Sequence, residues 1–322
     1  RNATAPGFDY CEHSQLAAQV GADVLHRQKA AYWANGFLLL RGLFDAEEMS
    51  ILKRKIVSTD RMNSTVLPEV QQAVQEGKHS PFKTVFGWNN VDQRDIFAKV
   101  SSSHKVLDRL SCFYDDEVYG FHNKIIMKYP GFPGFRPHQD HGYWMRTGAR
   151  FPETSAVFVA IDRATPENGY LQVVRRSHLL GTYSNVQWSS SLADTGMPPA
   201  KWKQLQERGY RAEGFSLEPG DALFFTGNTI HLSNDNVSPG SRLAMIATMN
   251  TRGNSVDPTK NVLGYPCYTG RPLERVVDRI TNEDLARALP DFSPISDPAC
   301  KAPGAKPDGF RWAVVQGKYE LV

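Results

Sequence analysis

Two histidines and one aspartate stand where their types and spacing could do chemistry. His138 and Asp140 form an H-x-D element inside Tyr129–Trp144, where a Pro/Gly-rich turn delivers the chain to the pair. In an extended strand, residues i and i+2 face the same side, so both side chains could reach one ion. The spacing by itself is weak, since chance produces about one such pair every chain or two, and its plain alternative is a surface histidine beside a turn. A third ligand is what would make a site. His231 is the candidate: Gly220-Asp221 turns into the apolar run Ala222–Phe225, and Gly227 to Ile230 leads directly to it.

Eleven residues after His231, Arg242 opens the apolar run Leu243–Met249. A guanidinium at the start of a core strand is costly to bury without an anion. Its planar fork suits a carboxylate, and Ser233 can add a hydroxyl donor. Two histidines and a carboxylate leave three positions open around a metal, which suits non-haem Fe(II) oxygenases, where a bidentate co-substrate and dioxygen fill the vacancies. A zinc hydrolase can use the same three ligands, but it needs no carboxylate-binding arginine at a fixed offset, and no H-E-x-x-H helix occurs.

The elements that must position these residues follow from periodicity. Helical spacing of Leu16, Val20, Val24 and Ala31 predicts one helix from about Glu12 to Asn35, ended by Gly36. Phe37–Leu40 has strand length, and Asp45 with Glu48 makes a capping-box start for a helix to about Ser58. Further helices are expected at Pro68–Lys78, Lys105–Tyr114 and Asn282–Leu289. After Asp116 short β-rich runs appear between Gly, Pro and Asn: Tyr119–Tyr129, Ser155–Ile161, Tyr170–Val174, Glu213–Leu217, Ala222–Phe225 and Leu243–Asn250. Such spacing argues for a sandwich, jelly roll or barrel. Ser184–Arg211, holding Trp188 and Trp202, is too long for a hairpin turn and reads as an insertion over a barrel mouth.

Composition narrows the classes. The 322 residues are 41% hydrophobic and 22% charged, with a net charge of +3 and no long basic run, so nothing calls for nucleic acid or an anionic membrane. No apolar run reaches the roughly 18 residues of a membrane span. Cys11, Cys112, Cys267 and Cys300 are scattered without a C-x-x-C pair, and free thiols in a reducing compartment are expected. The chain starts at Arg1, and the expectation is a cytoplasmic or organellar protein whose targeting peptide is missing from this sequence. Asn2, Asn63 and Asn236 open N-glycosylation tripeptides, a pattern common by chance. Oligomeric state is not legible.

From about Lys105 to Arg252 the motifs fall in a known order: Lys128-Tyr129-Pro130-Gly131, then Pro137 to Asp140, Glu167-Asn168-Gly169-Tyr170-Leu171, Arg176-Ser177-His178, and a G-D-x-x-F-F…H-x-S…R run ending at Arg242. This set resembles the phytanoyl-CoA dioxygenase family of Fe(II)/2-oxoglutarate oxygenases, which includes the ectoine hydroxylases. The resemblance implies a mainly β fold with flanking helices, its core a double-stranded β-helix (a jelly roll, cupin-like). It implies one catalytic domain over 1–322, with a helical layer at 1–115, the core at 116–255 carrying the 184–211 insertion, and an irregular segment at 256–322.

By that resemblance His138, Asp140 and His231 hold iron, while Arg242 and Ser233 grip the far carboxylate of 2-oxoglutarate, with O2 as the other co-substrate. Asn123 and Trp144 fall where ectoine hydroxylases place substrate-contacting Gln and Trp. Met127 falls where they use an Asn toward the co-substrate, and Arg176 where the family usually has Gly. The implied reaction is hydroxylation of an unactivated C–H bond of a small molecule, with succinate and CO2 released. Desaturation or ring closure needs only another substrate pose. Related halogenases replace the carboxylate ligand with a small residue, so Asp140 disfavours halogenation.

Lys124, Arg146, Arg150 and Arg175 cluster near the motifs; they favour an anionic, carboxylate-bearing substrate over an acyl-CoA, or simply form a solvated face. His141 is expected to face away from Asp140, His178 to fix a turn, and His13, His26, His79 and His104 to be structural. A non-catalytic ligand-binding protein of the same fold is the alternative from another class, and intact His138, Asp140, His231 and Arg242 speak against it.

Overall fold

The β-rich runs assemble into two facing sheets. The computed structural model describes residues 8–58, 84–88, 96–187, 195–256, 279–287, 312–315 and 318–321. The larger sheet has the order β1 (Phe37–Leu40), β10 (Ala222–Thr226), β5 (Thr154–Ala160), β12 (Arg242–Thr251), β3 (Val118–Lys128), β2 (Thr84–Trp88). The smaller has β4 (Phe135–His138), β11 (His231–Ser233), β6 (Leu171–Val174), β9 (Ala212–Gly214). Neighbouring strands in both are antiparallel. This is the double-stranded β-helix expected from the motifs. Among the described residues a separate hairpin, Trp312–Val315 with Lys318–Leu321, falls in the stretch expected to be irregular.

Strand alternation gives the larger sheet two unlike faces. Val157, Val159, Phe224, Met245, Ala247, Ile125 and Met127 pack outward into one core with the helices. Ala156, Phe158, Leu223, Phe225, Ala244, Ile246 and Ile126 face inward toward Leu171 and Val173 of the smaller sheet. The β12–β3 register shifts between Thr248 and Met249, leaving one extra β3 residue at Phe121. Such a bulge reverses the facing of the residues before it, so Tyr119 and Phe121 meet Trp144 in a cluster of their own.

The helical layer is α1 (Gln15–Val20), α2 (Ala22–Asn35), α3 (Ala46–Ser58), α4 (Ile96–Ser102) and α5 (His104–Tyr114). The single helix expected over Glu12–Asn35 is two, because Gly21 takes φ 89° and ends α1. The Asp45/Glu48 pair is a reciprocal capping box: Glu48 N donates to Asp45 Oδ1 (2.8 Å), and Asp45 N donates to Glu48 Oε2 (2.9 Å). The expected helix at Pro68–Lys78 lies outside the described residues, and that at Asn282–Leu289 forms over Asn282–Arg287. The insertion is no plain loop. It holds the short ribbon β7 (Val186–Gln187) with β8 (Thr195–Gly196) and a helix over Pro199–Glu207. It is tied down beside β4, where Met197 N donates to Pro137 O (2.8 Å) and Tyr143 meets Thr195 (2.9 Å).

Two sequence features change meaning in the fold. Cys11 and Cys112 are not free thiols: they form a disulfide across 101 residues, joining the first turns of the chain to α5. Cys267 and Cys300 lie outside the described residues. Arg176 takes φ 62°, the left-handed region, at the start of a 3-10 turn over Ser177–Leu180. That conformation explains why glycine is usual at this position, since an L side chain there costs about 1–2 kcal/mol. His178 holds the turn as expected, its Nε2 donating to Trp33 O (2.9 Å).

Arg176→Gly is expected to raise stability by up to about 1 kcal/mol, relief of the left-handed side chain being partly offset by the freer unfolded glycine. A chemical-denaturation midpoint measures it. Replacing both Cys11 and Cys112 by Ser should lower Tm by roughly 3–7 °C, the loss of about 2–5 kcal/mol for so long a loop. Calorimetry with and without reductant checks it: reductant should move wild type toward the variant and leave the variant unmoved.

Candidate metal centre

His138 and His231 are register partners on adjacent strands β4 and β11, which puts their ring centroids 4.1 Å apart. Asp140 reaches them differently from the sequence expectation. β4 ends at His138, and Asp140 has helical backbone (φ −60°, ψ −37°) as it enters α6 (His141–Trp144). The turn, not strand alternation, curls the carboxylate back beneath the imidazoles. Asp140 Oδ1 lies 3.8 Å from His138 Nε2 and 3.7 Å from His231 Nε2. These separations are too long for hydrogen bonds. They fit two atoms that share an ion, since ligands each about 2.1 Å from a metal lie within about 4.2 Å of each other.

The tautomers fit as well. His138 Nδ1 lies 2.7 Å from Arg136 O, and His231 Nδ1 lies 3.0 Å from Thr229 O. A carbonyl can only accept, so each Nδ1 carries the proton and each Nε2 keeps a lone pair for a metal. All three residues are buried. Burial pushes His138 down to about 3, with His231 adding to the shift and Asp140 opposing it. His231 is lowered by burial too. Burial pushes the Asp140 carboxyl up, but the fields of His231, Lys124, His138 and His122 outweigh it and hold it below the usual carboxylate range. The triad is therefore two neutral imidazoles and one carboxylate, a donor set that could hold a divalent ion.

A second grouping, Asp9, Cys11 and His26, has similar spacing, but Cys11 is committed to the disulfide.

Gln139, between the two ligands, went unnoticed in the sequence although every side chain flanked by ligands must go somewhere. It is buried, and its amide donates to Gly181 O (2.8 Å) and Asn228 O (2.6 Å) while its oxygen accepts from Tyr183 N (2.7 Å). It thereby pins the turn between His138 and Asp140 to the root of the insertion. His141 is buried, its backbone N donating to Gly227 O (2.8 Å) while its Nδ1 has no hydrogen-bond partner.

Arg242 lies where β12 opens, opposite Lys128 of β3, with its guanidinium 5.4 Å from the Phe158 ring centre. It is 2% exposed, and its Nε has no hydrogen-bond partner. Burial pushes it down to about 10 against the opposing field of Asp162, and Asp162 is itself paired with Lys53 (2.7 Å). The guanidinium thus faces the interior short of an anion. Ser233 Oγ accepts from Lys128 Nζ (3.0 Å) and Phe135 N (3.2 Å), which leaves its own proton to donate. Lys128 is wholly buried and also donates to Gly169 O and Asn234 O. The sequence reading met Lys128 only as part of a turn.

One substrate expectation is corrected. Asn123 shares the outward face of β3 with Ile125 and Met127, toward the helices. A one-residue difference in register exchanges the two faces of a strand, so His122 and Ile126, not Asn123 and Met127, point inward. Trp144 is buried on the inner side, its ring 5.1 Å from His122 and 5.2 Å from Phe121. Of the four basic residues, Arg146 and Arg150 are exposed, and Arg175 is held by Asn35 and Glu213. Lys124 alone shares the inner face. The Asn236 tripeptide is structural: Asn236 is buried and donates to Lys128 O (2.9 Å) and Gly240 O (2.8 Å).

Residues 32–244 match the phytanoyl-CoA dioxygenase (PhyH) family. An ectoine dioxygenase of Sphingopyxis alaskensis is 24% identical over 299 residues, covering 88% of this chain and 94% of that one. The Bordetella bronchiseptica ectoine dioxygenase is 28% identical over 247 residues, covering 72% and 77%. Among solved structures, apo EctD from S. alaskensis superposes with a TM-score of 0.57 at 20% identity, over 73% of this chain and 80% of that one. The epimerase SnoN, solved with Fe3+, α-ketoglutarate and nogalamycin RO, gives 0.56 at 14% identity, over 81% and 97%.

A double-stranded β-helix with this donor set beside a buried arginine fits the class of non-haem iron, 2-oxoglutarate-dependent dioxygenases. Within it, the chain belongs to the phytanoyl-CoA dioxygenase family.

Because His122, His138 and His141 fall to about 3, 3 and 4 when buried, they stay neutral in the metal-free fold where the unfolded chain takes up protons. Between about pH 6.5 and pH 4 the unfolded state binds more protons, so stability falls as pH falls. Urea midpoints of the metal-free protein should drop from pH 7 to pH 5, and His138→Phe should flatten that slope.

Proposed function

We propose that this protein uses Fe(II) and 2-oxoglutarate to oxidise an unactivated C–H bond of a carboxylate-bearing small molecule, with hydroxylation as the outcome. The chain is read as one catalytic domain, iron held by His138, Asp140 and His231. The observation that carries this reading is the cross-strand imidazole pair with Asp140 within 3.8 Å of both, set beside a buried arginine short of an anion. When bound, iron, 2-oxoglutarate and O2 supply the oxidising power, and succinate and CO2 are the by-products.

The protein's own residues bind, orient and exclude water. The Arg136 and Thr229 carbonyls fix the imidazole tautomers, so metal affinity does not depend on a chance proton position. Arg242 offers its fork to the far carboxylate of 2-oxoglutarate, and Ser233 donates its remaining proton to the same group. Lys128 acts through Ser233, holding the hydroxyl oxygen so that the proton points away from the ammonium. Phe158 beside the guanidinium and Phe225, 4.7 Å from His231, supply apolar walls that strengthen these charge interactions. His122 and Trp144 mark the substrate side.

Among the described residues no helix is long and apolar enough to cross a membrane. The Cys11–Cys112 disulfide favours an oxidising organelle over a reducing cytosol as the place where the chain matures.

Anaerobic addition of Fe(II) and 2-oxoglutarate should produce the weak visible charge-transfer band of the chelate; a metal-replete protein without it would be a binding module. Asp140→Ala should abolish succinate release. Arg242→Leu should raise the 2-oxoglutarate concentration for half-saturation about 100-fold, as for loss of one partner of a buried charge pair. An unchanged requirement would mean the co-substrate is anchored elsewhere.

A further inference from the structure

A second cation looks into the metal centre with nothing to hold. Lys124 lies on β3 two residues from His122 and four from Lys128, on the face that carries Ile126 inward. It is half-buried and has no hydrogen-bond or ion-pair partner among the described residues. Its register partner Ile246 and its alternate neighbour Ile126 both face inward, so its side chain leaves the strand on the triad's side.

Two buried donors near it also lack partners. Thr248 is the register partner of His122 on β12, and its Oγ1 is unbonded. Trp144 Nε1 is unbonded too, its ring 5.1 Å from that of His122. Thr248 and Trp144 both meet His122, two residues along the same face from Lys124 and on the side away from Lys128. Four residues of strand separate Lys124 from Lys128 by about 13 Å, so a 2-oxoglutarate held by Arg242 beside Lys128 leaves Lys124 uncovered.

Charge argues the same way. With Fe(II), Asp140 and the 2-oxoglutarate dianion in place, Arg242 and Lys128 already leave the centre with a net positive charge. Lys124 adds another, and Asp162, the acid felt at Arg242, is paired with Lys53. A half-buried cation facing a centre that is already net positive is relieved by an anion, and the remaining molecule to enter is the substrate.

We propose that Lys124, helped by the Trp144 indole N–H and the Thr248 hydroxyl, binds the substrate's carboxylate and so selects carboxylate-bearing small molecules and orients their C–H bond toward the metal. This rests on the iron and 2-oxoglutarate reading above and names the residue that sets substrate class.

The test uses protein loaded with Co(II) and N-oxalylglycine, an unreactive 2-oxoglutarate analogue, with butyrate and butyramide as probes whose proton relaxation reports proximity to the paramagnetic ion. Wild type should relax butyrate and not butyramide. Lys124→Met should weaken butyrate binding by at least about tenfold, and Lys124→Arg should keep it within a few-fold. The Co(II) visible spectrum should be the same in all three proteins. Equal relaxation of acid and amide, equal butyrate binding by wild type and Lys124→Met, or no relaxation of either probe by wild type would each overturn the assignment to Lys124. Failure of wild type to take up Co(II) and N-oxalylglycine at all would instead overturn the underlying cofactor reading, and this inference with it.

Discussion

His138 and His231 face each other because β4 and β11 are hydrogen-bonded neighbours in the smaller sheet. Residues 93 positions apart become a cross-strand pair, and everything else at the site is arranged around that pairing. The two carbonyls that fix the tautomers, Arg136 O and Thr229 O, belong to the same two stretches of chain, two residues before each histidine. Asp140 follows from the end of β4, and Ser233 from the end of β11. Loss of this short strand pair would scatter the two imidazoles, the carbonyls that fix their tautomers, Asp140 and Ser233 together.

The larger sheet supplies a different constraint, the choice of face. Its outer side is apolar against the helices and its inner side carries the charges: Lys124 and Lys128 on β3, Arg242 on β12. Cations on the inner side are tolerable where each has an acceptor. Lys128 has Gly169 O, Ser233 Oγ and Asn234 O. Arg242 Nε has no partner, and an unsatisfied buried donor of this kind costs stability. The neutral, buried histidines carry a cost of the same kind, being stable only while uncharged.

The insertion ties these parts to the outside. Through Gln139, Tyr143 and Pro137, the turn that carries the ligands is bonded to Gly181, Tyr183, Thr195 and Met197. The turn that carries His138 and Asp140 and the insertion are therefore one hydrogen-bonded unit.

Local chemistry was enough for much of this. The capping box at Asp45 and Glu48, the strands around Phe158, Phe224 and Met245, and the grouping of His138, Asp140 and His231 were legible because each depends on short spacings or on ordered motifs. What only the tertiary structure decided is everything that depends on register and on distant partners. Alternation says that neighbours on β3 face opposite ways, but not which way; packing of Ile125 and Met127 against the helices turned Asn123 out and brought His122 and Lys124 in. Nothing in the scattered cysteines foretold that Cys11 would meet Cys112. Arg176 was an unexplained departure until its φ of 62° was known. Spacing along a chain sets what a residue can do, whereas the partner that makes it do so is chosen by folds that bring remote segments side by side.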